Sequence, residues 1–204
     1  TYTEKNSLAA MSPNITGLTP YIIEERQMNI ISMDVFSRLM MDRIIFLGQG
    51  INDYLANIVQ AQLLFLESTD PKRDVQIFVN SPGGSVIAGQ GIYDTMQYIN
   101  SPVSTIVMGQ ACSMGSLLAQ AGEPGKRFVL PNSRTMIHRV SSGTQGTRGS
   151  IHVQELEFED AKRHMDESVN LNNRLTQLYV DHSSKGKSFD EFYATMKHDT
   201  FMSA

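Results

Sequence analysis

The sequence predicts an α/β fold in which βαβ units build a largely parallel sheet, and three observations carry that prediction. Short apolar runs of β character alternate with longer stretches whose apolar residues recur at i, i+3 and i+4. Clusters of Gly, Pro, Asn and Ser punctuate the ends of the apolar runs, where sheets of this kind carry their functional groups. The 204 residues, 41% hydrophobic and 19% charged, suit one domain with a single core rather than a fibrous or disordered chain.

Residues 1–27 mix Asn, Ser, Thr, Gly and two prolines, Pro13 and Pro20, and are expected to be a mobile tail ending in a strand at Tyr21-Ile22-Ile23. Ser32 has the place of an N-cap, before a helix carrying Met33, Val35, Phe36, Leu39 and Met40. Ile44 to Leu47 reads as a short buried strand stopped by Gly48. From Asn52 to Thr69, Leu55, Ile58, Val59, Leu63 and Leu66 keep the rhythm of a helix with one core face. Val75 to Val79 is strand, Asn80-Ser81-Pro82-Gly83-Gly84-Ser85 a turn, Val86 to Ile99 helix and Val103 to Met108 strand again.

A second small-residue turn, Gly109-Gln110-Ala111-Cys112-Ser113, precedes another apolar stretch. Phe128 to Leu130 and Arg134 to Ile137 read as short strands, and Ser141 to Ser150 as a mobile Gly/Ser/Thr-rich segment. Ile151 to Val180 has the pattern of one long helix carrying Leu156, Ala161, Met165, Val169, Leu175 and Leu178, which needs a partner surface for its stripe. Ser188-Phe189-Asp190-Glu191 has the form of a capping box opening a last helix, to about Met196.

Charge and cysteine content narrow the function. A net charge of -4 with no clustered Lys or Arg gives no footprint for nucleic acid or an anionic membrane. The single cysteine, Cys112, forms no intrachain disulfide, and no Cys/His group has zinc-ligand spacing, so no metal or cofactor is expected. The polar start, without an apolar segment behind it, and the lack of any stretch of bilayer length point to a cytoplasmic protein.

Several residues have the type and placement for chemistry. Ser113 follows a strand and precedes Met114-Gly115-Ser116-Leu117-Leu118-Ala119, so its hydroxyl should sit at a helix N-terminus, where free amides favour an oxyanion. The local pattern on its own favours a plain N-cap, because Ala111 stands where a Gly-x-Ser-x-Gly elbow has its first glycine. Gly83 and Gly84 let backbone amides approach a substrate, or else serve a turn that needs positive φ. A serine nucleophile requires a histidine, oriented in turn by an acid. Of five histidines, His152 and His164 fall in the long polar helix and His182 and His198 beside loops, while His138 closes a buried strand. Asp199 reads locally as a solvated loop carboxylate, and Cys112 as a small buried hydrophobe.

Taken in order, Phe36-Ser37-Arg38-Leu39, Arg43-Ile44-Ile45-Phe46-Leu47, Asn80 to Ser85, Gly91-Ile92-Tyr93-Asp94-Thr95-Met96-Gln97 and Met108 to Gly115 closely resemble the ClpP family, the proteolytic subunits of Clp proteases. Lys126-Arg127-Phe128, Leu130-Pro131-Asn132-Ser133-Arg134 and Met136-Ile137-His138 continue the match, which covers residues 20–204.

The resemblance implies a ClpP/crotonase-like spiral of βαβ units with a protruding handle of long helix plus strand. Residues 1–27 would form the mobile tail and axial strand, and 28–204 one peptidase domain with its handle at about 139–182. It assigns the nucleophile to Ser113, the base to His138, the acid to Asp199, the oxyanion-hole amides to Gly84 and Met114, and substrate contacts to Gly83, Val86 and Ser141. It further implies a homo-oligomer of two stacked heptameric rings, substrates that are unfolded polypeptides, and an AAA+ unfoldase partner such as ClpX, ClpA or ClpC. ATP would be used by that partner, with no cofactor in this chain.

The match has departures. Arg139-Val140 stand where the family carries Gln-Pro, Lys197-His198 where it carries an Asp-Arg pair linking the rings, and Cys112 where it carries alanine; the sequence given ends at Ala204, ahead of a further helix and strand. These motivate an alternative: a divergent paralogue, or a ClpR-like subunit with a mainly structural role, in a ring mixed with a second ClpP-type chain. An acyl-CoA enzyme of the crotonase type is a second rival, but would not need Ser113 and His138 together.

Overall fold

The structure is a computed structural model that describes residues 21–26, 29–140 and 154–204. The expected tail through residue 20 and the Ser141 to Ser150 segment, with Ser141 itself, lie outside the described residues. The chain forms two compact units, Thr1–Asp42 and Arg43–Ala204.

In the first unit, β1 (Tyr21–Arg26) pairs antiparallel with β2 (Asn29–Asp34), from Tyr21 opposite Asp34 to Arg26 opposite Asn29. Helix α1 (Val35–Met41) follows at once. The expected cap at Ser32 is corrected: Ser32 lies within β2 opposite Ile23, and Asp34 caps the helix. The Asp34 carboxylate accepts from the Phe36 amide at 3.0 Å and the Ser37 amide at 3.1 Å, so the β pairing runs to the residue that can satisfy the first free amides.

The second unit holds the six-stranded sheet, in the order β3 (Ile44–Leu47), β4 (Val75–Ser81), β5 (Val103–Cys112), β7 (Arg134–Ile137) and β8 (Thr200–Ser203), with β6 (Arg127–Val129) also on β5. Helices α2 (Asp53–Thr69), α3 (Val86–Tyr98) and α4 (Met114–Gln120) make the crossovers between parallel strands, three βαβ units in succession. One face of the parallel strands is buried: Ile45 and Leu47 of β3, Val75, Ile77 and Val79 of β4, and Val103 and Val107 of β5 alternate along their strands and line up in register. Against them α2 sets Leu55, Val59, Leu63 and Leu66, α3 sets Ile92 and Met96, and α4 sets Leu117 and Leu118. Leu63 has no exposed surface.

One charge sits in this core. Arg43, 3% exposed, is satisfied by carbonyls and a hydroxyl: Nη1 donates to Leu66 O at 2.9 Å, Nε to Asp74 O at 3.0 Å, and Nη2 to Arg73 O at 3.0 Å and Ser101 Oγ at 3.1 Å.

Helix α5 (Gln154–Asp181) runs 28 residues, close to the expected bounds. Its C-terminal part buries Leu175, Thr176 and Tyr179 against α4 and α6 (Phe189–Thr195), whereas Met165 and Val169 are exposed. His182, read from the sequence only as a residue beside a loop, locks the helix end. Its Nε2 lies 2.8 Å from Tyr93 Oη, and its carbonyl accepts from Arg127 Nη1 at 2.7 Å. The Ser188 capping box forms as expected, Ser188 Oγ accepting from the Glu191 amide and the Glu191 carboxylate from the Ser188 amide. Among the described residues no helix is long and apolar enough to cross a membrane.

Candidate active site

The sheet register assembles the site. Strand β5 runs beside β7 to Cys112 opposite Met136, and the Ser113 amide extends the ladder by donating to Met136 O at 2.7 Å. Strands β7 and β8 pair antiparallel, with Ile137 opposite Thr200, so at the next position, just after β7 and just before β8, His138 and Asp199 face one another. Three residues remote in sequence are thereby set side by side at the edge where the parallel strands end.

Their side chains meet. Ser113 Oγ is 2.8 Å from His138 Nε2, and His138 Nδ1 is 3.3 Å from Asp199 Oδ1. Ser113 does occupy the position before α4, but its side chain makes no capping hydrogen bond, because the hydroxyl is engaged by the imidazole. Its backbone, at φ 52 and ψ −125, is in a region that L-residues rarely adopt and that a surrounding structure must hold. Asp199 is 62% exposed, so its charge acts on the imidazole through partly solvated surroundings.

Both predicted glycines are required by their positions. Gly83 has φ +92, and a Cβ there would fall 2.6 Å from Cys112 O and 2.8 Å from Ser113 Cβ. Gly84 has φ +149, and a Cβ would overlap the Ile51 carbonyl. The loop is pinned by hydrogen bonds from Ile51 N to Gly83 O at 2.8 Å, from Ser85 N to Ile51 O at 2.9 Å and from Gly83 N to Ser81 Oγ at 3.1 Å. Neither the Gly84 nor the Met114 N–H donates a hydrogen bond among the described residues.

Ser113 and His138 open onto a cavity of ≈ 70 Å³ whose walls include Gly84, Val86, Met114, Leu117, Val140, Leu175 and Tyr179. Predicted residues Gly84, Val86, Ser113, Met114 and His138 thus share one cavity, Gly83 abuts it from behind Ser113, and Ser141 lies outside the described residues. Cys112 is buried, and burial pushes its thiol up, away from the reactive thiolate. Arg139 is committed elsewhere: its guanidinium lies 4.1 Å over the Tyr193 ring and donates to Tyr193 O at 3.3 Å. Lys197 and His198 are exposed.

Sequence reasoning missed Ser116, Asn172 and Tyr179. Asn172 Oδ1 accepts from the Val140 amide at 2.7 Å, tying the segment after His138 to α5. Tyr179 and Ser116 bond to one another behind Ser113. The available signal was a phenol four residues after Leu175 on the buried stripe of α5, since a tyrosine buried there needs a polar partner.

A serine hydroxyl, an imidazole and a carboxylate in series, beside free amides at a helix start, have the arrangement of a serine hydrolase. The Clp protease family model matches residues 26–204, and this chain belongs to that family of serine peptidases. It is 52% identical over 187 residues to an ATP-dependent Clp protease proteolytic subunit of Bacteroides fragilis, covering 92% of this chain and 84% of the relative. Proteins of the same description from Bacteroides thetaiotaomicron (50% over 187 residues, covering 92% and 80%) and Porphyromonas gingivalis (57% over 148 residues, covering 72% and 67%) are also similar.

Proposed function

We propose that this chain is the serine endopeptidase subunit of a self-compartmentalised protease, with Ser113 as nucleophile, His138 as general base and Asp199 as the acid that orients it. The observation that carries this is the unbroken series of contacts, 2.8 Å from Ser113 Oγ to His138 Nε2 and 3.3 Å from His138 Nδ1 to Asp199 Oδ1.

In this reading Asp199 holds the proton of His138 on Nδ1 and leaves Nε2 free to accept the Ser113 proton. The serine oxygen adds to a peptide carbonyl, and the developing oxyanion is held by the Gly84 and Met114 amides. The imidazolium then gives its proton to the leaving amine, an acyl-enzyme remains, and water activated by the same base hydrolyses it. Gly83, Val86 and Ser141 contact the bound peptide. The apolar walls at Leu117, Val140 and Leu175 suit an apolar side chain.

The family resemblance supports the wider setting: two stacked heptameric rings in the cytoplasm, unfolded polypeptides as substrates, and an AAA+ unfoldase that spends the ATP, so that this chain needs no cofactor. Exposed Met165 and Val169 on α5 suit the handle contact between rings. The exposed Lys197-His198 pair favours a second reading, in which the chain joins a mixed ring with another ClpP-type subunit.

Ser113→Ala tests the assignment. Peptide cleavage and fluorophosphonate labelling should both vanish, and labelling that persists at another residue refutes it. Native mass measurement of the chain purified alone separates the assemblies: an active double ring of one chain type rules out the mixed ring.

A further inference from the structure

The strained backbone of Ser113 is held by its own carbonyl. That oxygen accepts from the Ser116 amide at 2.9 Å, the Leu117 amide at 3.3 Å, the Ser116 hydroxyl at 2.7 Å and the Tyr179 hydroxyl at 3.2 Å. The two hydroxyls are 2.6 Å apart, and both residues are 3% exposed. Two hydroxyl protons serve three oxygen–oxygen contacts. The shortest two form a series in which Tyr179 donates to Ser116 and Ser116 donates to Ser113 O, each bond polarising the next.

We propose that Tyr179, acting through Ser116, is a positioning residue that keeps the Ser113–Met114 peptide turned so that the Met114 N–H presents itself to the oxyanion; this rests on the serine peptidase reading above. A trans peptide is planar, so its C=O and N–H point in opposite directions. Anchoring the Ser113 oxygen on the α4–α5 side therefore turns the Met114 N–H the other way, and Met114 is part of the cavity wall. A rotation of this one peptide unit would relieve the rare φ and ψ of Ser113 and withdraw that N–H. It is opposed by the hydrogen bonds to the Ser113 oxygen, one of which comes from the Ser116 hydroxyl that Tyr179 orients. Burial pushes the Tyr179 phenol up, so it remains a donor throughout the neutral range. The ring has a separate support, stacking on Phe192 at 5.9 Å between centroids. Removing the hydroxyl alone therefore leaves the packing in place.

The test uses the full chain with Tyr179→Phe, Ser116→Ala, both together, and Ser113→Ala, read by kcat and KM on a fluorogenic peptide and by the rate of fluorophosphonate labelling. Each single variant should lower kcat about tenfold, the loss of one well-placed hydrogen bond in the transition state, with KM changed by less than about twofold. The double variant should fall no further than the weaker single, because the two hydroxyls act in series. Labelling should slow in parallel, and a peptide boronate that mimics the oxyanion should bind more weakly to both. The proposal is overturned if either single keeps kcat within about twofold of wild type, if the effect falls on KM alone, or if the double loss is the product of the two single losses. Should Tyr179→Phe fail to fold by circular dichroism, Ser116→Ala carries the same expectations alone. Ser113→Ala that still cleaves and labels sinks the peptidase reading, whereas a dead Ser113→Ala beside fully active Tyr179→Phe and Ser116→Ala sinks only the positioning role.

Discussion

Gly83→Ala places the smallest possible side chain directly behind the nucleophile. At φ +92 an alanine is conformationally strained, at a cost of about 1–2 kcal/mol. Its Cβ would stand 2.6 Å from Cys112 O and 2.8 Å from Ser113 Cβ, and a methyl group has no rotamer that escapes. Cys112 is held in the β5–β7 ladder and the Ser113 amide on Met136 O, so the overlap is relieved only by backbone movement, adding about 1–3 kcal/mol. A stability loss of about 3 kcal/mol follows from the two together. Ser113 Oγ is displaced from His138 Nε2 by a good part of an ångström, which predicts a fall in kcat of about 10²-fold. The assay is peptide turnover with fluorophosphonate labelling, alongside a thermal melt. A variant with kcat within about threefold of wild type and an unchanged melting curve would refute the reasoning.

Three further outcomes are expected. Asp199→Asn should keep the 3.3 Å approach to His138 but favour the wrong tautomer, lowering kcat by about 10²-fold, less than for a buried acid because the carboxylate is 62% exposed; an unchanged kcat refutes an orienting role. His182 has its pKa lowered from 6.5, by burial first and then by Arg127, so the unfolded chain binds its proton more readily; stability should fall as pH drops below 6.5, and in denaturant titrations His182→Gln should lose that part of the dependence. Leu63→Ala, at a site with no exposed surface, should cost about 2–5 kcal/mol by chemical denaturation, and a loss under about 1 kcal/mol would contradict its place in the core.

The parallel core was legible because its signals are local and redundant. β3, α2 and α3 sit within a residue of the expected bounds, and β4 runs two residues past its expected end, since buried strands read as apolar runs and helices as stripes. The region from Gly109 to Cys112 was harder, because a glycine turn and a strand coexist there. Gly109 has φ +89 and the β4–β5 register shifts between Val79 and Ser81, yet β5 continues to Cys112. Ser133 Oγ bridges the irregularity, donating to Val107 O and accepting from the Gly109 amide. Strand β8 had no periodic signal at all, since most of its residues are exposed and its conformation comes from pairing with β7. For the same reason Asp199 looked like a loop carboxylate. Its neighbour across the ladder is a tertiary fact, and only the ordered series of family motifs pointed to it.

Asp199 stands just before β8, which is four residues long and, among the described residues, pairs only with β7. A strand so short and so paired opens at a small fraction of the free energy that opens the centre, so the link from Asp199 to His138 should come apart before the helices unfold. Turnover should then fade on warming well before far-UV ellipticity changes, and return on cooling without refolding.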